Sequence, residues 1–135
     1  MSRMIFVNLA IENLKRSVDF FTALGFTFNP QFTSEDTACM IINDQALVML
    51  LEKPKFQGFT KKALVDTATH VEVLTALSCA SRDEVNHLVD TALKHGGRPA
   101  GDVQDHGFMY AWSFECPDGH IWEVVWMDPN TVEPS

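Results

Sequence analysis

The stretch PDGHIWEVVW, residues 117–126, reads as a tight turn running into an apolar strand. One residue does not fit: Glu123 places a carboxylate in the middle of that strand. Alternation along a strand puts Ile121, Glu123 and Val125 on one face and Trp122, Val124 and Trp126 on the other. The tryptophan face suits packing against a helix. Glu123 then faces the opposite way among apolar neighbours, where a carboxylate has to be paired, hydrogen-bonded or protonated.

Upstream of this hairpin the pattern is strand, helix, strands. Val71–Ala80 reads as a strand, and Ser81-Arg82-Asp83-Glu84 as a capping box that starts a helix. Val85, Leu88, Ala92 and Leu93 form its apolar face, and Gly96-Gly97 ends it. Strands follow at Arg98–Val103, Phe108–Glu115 and His120–Trp126. The first half has the same grammar. Ile5–Ile11 reads as a strand, and Asn13 caps a helix whose face is Leu14, Val18 and Phe21, widened by Phe20 and Leu24. Gly25 closes it, and strands follow at Phe26–Phe32, Thr37–Ile42 and Ala46–Leu51. The expected fold class is therefore α+β, with two tandem βαβββ modules in a single domain, 1–135. Module one covers about 4–52, a linker with Pro54, Gly58 and several lysines about 53–69, and module two about 70–128.

The bulk numbers narrow the function. The chain has 135 residues, 46% of them hydrophobic, enough for one domain with its own core. The net charge is -8, and the scattered lysines and arginines form no patch. Phosphate backbones and anionic lipid surfaces repel such a chain, so neither nucleic acid nor membrane is an expected partner. The N-terminus does not read as a signal peptide, and no stretch reaches the roughly 20 apolar residues of a membrane span. Cys39, Cys79 and Cys116 form no CxxC pair, and an odd count points to reduced thiols and a cytoplasmic location.

Two stretches carry a resemblance. FVNLAIENLKRSVDFFTALGFTF, residues 6–28, and HGFMYAWSFECPDGHIWEVVWMDP, residues 106–129, are similar to the first and last signatures of the vicinal oxygen chelate superfamily. Its members include glyoxalases, bleomycin-resistance proteins and extradiol dioxygenases. The resemblance implies that the two modules curl their sheets into a cup-shaped half-barrel. It also implies that metal-using members bind a divalent cation through four inward side chains, usually His and Glu, and that a homodimer is the usual assembly.

Glu123 falls on the last of those four positions. Asp118 and Asp44, the two hairpin turns, are 74 residues apart, and 74 residues before Glu123 stands Met49. The family's first-strand histidine lies seven residues before the residue that is Asn13 here, which gives Phe6. The matching position in module two is about Thr75, within two residues. Phe6, Met49, Thr75 and Glu123 supply one carboxylate, one thioether and one neutral hydroxyl, a set unsuited to Zn, Ni, Mn or Fe. The expectation is accordingly no metal and no cofactor.

What remains is a small-molecule site. Glu123 is a candidate general base or hydrogen-bonding anchor, or else a carboxylate bonded to a neighbour such as Asn8, which shares a face with Phe6. Phe108, Tyr110, Trp112 and Phe114 alternate along one face. They form either an aromatic wall for a flat ligand, with Tyr110 and Trp112 contacting it, or plain core. His70 and Glu72 share a strand face but read as surface residues. Three functions stay open: a lyase- or isomerase-like enzyme using Glu123 without metal, a non-catalytic sequestering protein of the bleomycin-resistance kind, and a metal-dependent lactoylglutathione-lyase-type enzyme.

Overall fold

The computed structural model describes residues 3–130. The chain divides into two compact units, with the boundary between Val65 and Asp66. The first contains β1 (Ile5–Ile11), α1 (Leu14–Ala23), β2 (Thr27–Phe28), β3 (Thr37–Ile41), β4 (Ala46–Glu52) and a short helix α2 (Lys53–Gln57). The second contains β5 (Leu74–Ser78), α3 (Arg82–Lys94), β6 (Arg98–Pro99), β7 (Gln104–Asp105), β8 (Met109–Glu115) and β9 (Ile121–Met127).

The two sheets share one topology. The order is β1-β4-β3-β2 in the first and β5-β9-β8-β6 in the second, with β7 also paired to β8. In each, the first strand runs parallel to the last, and every other pair is antiparallel. This is the βαβββ plan twice over, in an α+β fold with two open sheets.

Local chemistry explains the elements. The Asn13 side chain accepts the Arg16 N–H at 2.9 Å and starts α1. The Glu52 carboxylate, at the end of β4, accepts the Leu14 N–H at 2.9 Å and satisfies another free donor of that first turn. Ser81 accepts the Glu84 N–H at 3.1 Å, and Glu84 reaches back to the Ala80 N–H at 2.8 Å. Each helix buries one stripe on its own sheet. In module one Phe20 and Phe21 of α1, both 1% exposed, are buried, as are Leu9, Ile11, Val48 and Leu50 of the sheet. Each such large side chain contributes about 1.5–3 kcal/mol on burial. In module two Val85, Val89 and Ala92 of α3 are fully buried, as are Phe114, Trp122 and Val124 of the sheet.

Several expected boundaries move. In α1 Ser17 is buried with Leu14, Phe20 and Phe21 while Val18 is only half-buried, because a small side chain at 17 lets the helix approach the sheet. On α3 the stripe is Val85, Val89 and Ala92, and Leu93 is exposed. The strand expected at Phe26–Phe32 stops at Phe28, since Pro30 lacks the N–H a ladder needs and opens a 3-10 turn instead. The strand expected at Arg98–Val103 breaks after Pro99 for the same reason and resumes as β7. The first part of the segment read as linker is α2, which packs against β1 and β4.

The last turn is held by a close approach. Gly119 has φ +87, and a Cβ there would lie 2.5 Å from the Thr67 carbonyl oxygen. The Thr67 hydroxyl also donates to the Asp118 carbonyl. Only glycine satisfies both the left-handed backbone and the contact.

Candidate functional site

Strand register decides which residues face the same way. In module two, β8 and β9 pair Ser113 with Glu123, Ala111 with Val125 and Glu115 with Ile121. The parallel pair places Ala76 opposite Glu123 and Leu74 opposite Ile121. One face therefore carries Leu74, Ala76, Ile121, Glu123, Val125, Ala111, Ser113 and Glu115. The other carries Thr75, Tyr110, Trp112, Phe114, Trp122, Val124 and Trp126, and this is the face that α3 covers.

The register separates three expected site residues from Glu123. Thr75 pairs with Trp122, so it turns away from Glu123. The register puts Leu74 opposite Ile121 and Ala76 beside Glu123, within the two-residue margin of the sequence reading. Tyr110 and Trp112 also lie on the helix face. The Tyr110 hydroxyl donates to Asn86 Oδ1 of α3 at 2.6 Å, and Trp112 Nε1 donates to the Gly101 carbonyl at 3.0 Å. Phe114, on the same row, is core. Of the two roles open to the aromatic row, its side of the sheet fits packing: Phe114 is buried, Tyr110 bonds to α3, and Phe108 is exposed ahead of β8.

Glu123 remains on the open face. It is half-buried, flanked in the ladder by Ala76 and Ser113, with Ile121 and Val125 two residues away along the strand. Among the described residues its carboxylate has no hydrogen-bond or ion-pair partner. Glu115, the other carboxylate of that face, is ion-paired with Arg98 at 3.2 Å. In module one the register brings Phe6, Asn8 and Met49 onto one face. Asn8 sits opposite Met49, with Phe6 and Asn8 exposed and Met49 half-buried.

In module one the face bearing Phe6 offers the Asn8 amide and the Met49 thioether; in module two the face of Glu123 offers its carboxylate beside Ala76 and Ser113. Neither set fits a divalent cation that needs three or four anionic or imidazole ligands. No group of three or more His, Cys, Asp or Glu suited to a metal occurs among the described residues. The thiols are not nucleophiles at neutral pH. Burial pushes Cys116 up to about 11 and, with Glu84 adding to it, Cys79 to about 11; Cys39 is raised by burial as well.

The sequence reading missed Ser113 and Ala76 as Glu123's neighbours. The signal for Ser113 was present: it lies as far before Asp118, the middle of the turn, as Glu123 lies after it.

Comparison with known proteins agrees with this architecture. A family model described as Bleomycin resistance protein-like N-terminal matches residues 3–43. Among solved structures, the hypothetical protein SA1046 from S. aureus is 26% identical. The match covers 93% of this chain and 94% of that one, with a TM-score of 0.79. A glyoxalase-related enzyme from Fulvimarina pelagi gives a TM-score of 0.78 at 19% identity, covering 93% and 88%. FosX, a fosfomycin resistance protein from Listeria monocytogenes, gives 0.67 at 14% identity, covering 100% and 96%. No curated protein matches the chain. The chain shares the glyoxalase-like fold of these structures. No helix among the described residues is long and apolar enough to cross a membrane.

Proposed function

We propose that the protein binds a small amine-bearing molecule on the open face around Glu123, without a resident metal. The observation that carries this reading is the Glu123 carboxylate itself: half-buried, between Ala76 and Ser113, with no donor from the described residues. A carboxylate that loses water without gaining a donor is destabilised, and a ligand N–H or ammonium restores the missing hydrogen bonds. A net charge of -8 favours a cation in the same place. The similarity to bleomycin-resistance and fosfomycin-resistance proteins supports a small-molecule ligand.

Amide NMR shifts on titration with benzylamine, against its neutral isostere benzyl alcohol, test the reading. Shifts centred on Ala76, Ser113 and Glu123, stronger for the amine and abolished by Glu123→Gln, are expected. Equal response to both probes, or an unchanged response in the variant, rejects it. Elemental analysis is expected to show sub-stoichiometric divalent metal, the same in Glu123→Gln.

The same carboxylate is also placed to act as a base on a bound molecule with an acidic proton. Turnover of a ligand by the wild type, lost in Glu123→Gln, would make the protein an enzyme; binding without turnover makes it a sequestering protein. Assembly as a homodimer forms part of the proposal. β1 and β5 are the edge strands of their sheets and carry exposed Ile5, Phe6 and Leu74, which a second copy would cover. Light scattering at twice the 15.2 kDa chain mass is the expected result.

A further inference from the structure

The strand β7 is only two residues long, yet its two side chains go to opposite faces of the sheet. Asp105 pairs with Tyr110 and so lies on the helix face, whereas Gln104 pairs with Ala111 and so lies on the face of Glu123. Asp105 is gripped from α3. Arg82 donates to both its carboxylate oxygens, at 2.8 and 3.1 Å, and to the Gly107 carbonyl at 3.0 Å. The Gly107 N–H donates back to Asp105 at 3.0 Å. The Arg82 guanidinium also stacks over Tyr110 at 4.9 Å and over Trp126 at 5.3 Å. A two-residue strand after a proline break has little ladder of its own, so this fork supplies most of what fixes it.

We propose that Arg82 and Asp105 are positioning residues that latch β7. The latch holds the Gln104 amide at the rim of the Glu123 face as the second polar group a ligand meets. This rests on the reading of that face as an amine site. Gln104 and Glu123 are two strands and two residues apart, a Cα separation of about 12 Å from sheet spacings. Ala111 and Ser113 form the floor between them. Two side chains of this reach span a ligand that carries an amine at one end and a carbonyl or amide at the other. Gln104 thereby selects bifunctional amines over simple ones.

Two measurements on the full chain test this. The latch is read without ligand, by amide hydrogen exchange. Asp105→Asn and Arg82→Lys are expected to speed exchange at 104–107 at least tenfold while the middle of α3 and β9 keeps its protection. Unchanged exchange at 104–107 overturns the latch. Selection is read as the affinity ratio of 4-(aminomethyl)benzamide to benzylamine. The ratio is expected to be about fivefold in the wild type, the worth of one hydrogen bond. It is expected to fall to about one in Gln104→Ala and Asp105→Asn and to recover in Asp105→Glu. A ratio that survives Gln104→Ala, while Glu123→Gln abolishes both probes, overturns the role of Gln104 and leaves the amine site standing. If Glu123→Gln leaves both probes bound, or neither probe binds the wild type, the amine site itself fails and Gln104's role fails with it.

Discussion

At the scale of single residues, Glu123 and Gly119 give opposite expectations for stability within one hairpin. Glu123 stabilises nothing visible within the described residues, so removing its charge should not weaken the protein. Glu123→Gln is expected to leave the urea midpoint unchanged or slightly raised, within about 0.5 kcal/mol, while it removes amine binding. Gly119 is the reverse case, serving only the fold. Gly119→Ala forces a side chain into a left-handed backbone and against the Thr67 carbonyl. A loss of about 2 kcal/mol or more in urea denaturation is expected. An alanine variant as stable as wild type would mean that the Thr67 segment yields at no cost.

At the scale of elements, capping and the latch decide where helices and short strands begin. Asn13→Ala removes the acceptor for the Arg16 N–H and is expected to cost about 1 kcal/mol, read from equilibrium unfolding. The latch gives a pH signature. The Arg82 guanidinium beside Asp105, with the Gly107 N–H, holds that carboxyl down at about 2, against 3.8 for an unperturbed aspartate. A depressed carboxyl contributes stability that is fully present above the unfolded value and is lost as pH falls through the folded one. Wild type is therefore expected to exceed Asp105→Asn in stability above pH 4, with the gap closing between about pH 4 and 2. A gap independent of pH across that range would show that the ion pair is not its source. Both groups are substantially exposed, so added salt is expected to narrow the gap as well.

At the scale of the whole molecule, charge and repetition dominate. With -8 net charge and no basic cluster, the protein is expected to pass a heparin column at physiological salt without retention. Binding there, lost only at high salt, would reveal a local positive surface that the overall balance conceals. The repeated βαβββ plan shows the other side of scale. Two modules with the same strand order carry different residues at equivalent open-face positions. Phe6, Asn8 and Met49 fall in one, and Leu74, Ala76 and Glu123 in the other. The two modules share a strand order but not a chemistry: among the described residues, the face of module one that bears Phe6, Asn8 and Met49 has no carboxylate equivalent to Glu123.

The sequence by itself determined the order of the two long helices and the main strands, the duplication, both of those helices' caps and the turn at Pro117-Asp118-Gly119. Those features are local: each depends on side chains within a few residues of the backbone they satisfy. It also singled out Glu123, because a carboxylate in an apolar alternating strand is anomalous without any knowledge of neighbours. Only the tertiary structure decided which residues share its face. A strand's two faces are distinguished by what packs on them, and α3 takes the side bearing Tyr110, Trp112, Phe114 and Trp122. Aromatic area is worth more buried under a helix than left on an open sheet, so Phe114 and Trp122 went to the core and Tyr110 and Trp112 are half-buried beside them. Thr75 shows the same limit from the other direction. A displacement of one residue reverses a strand's faces, and the register that resolves it is set by pairing with β9, 47 residues away from Thr75 at Trp122.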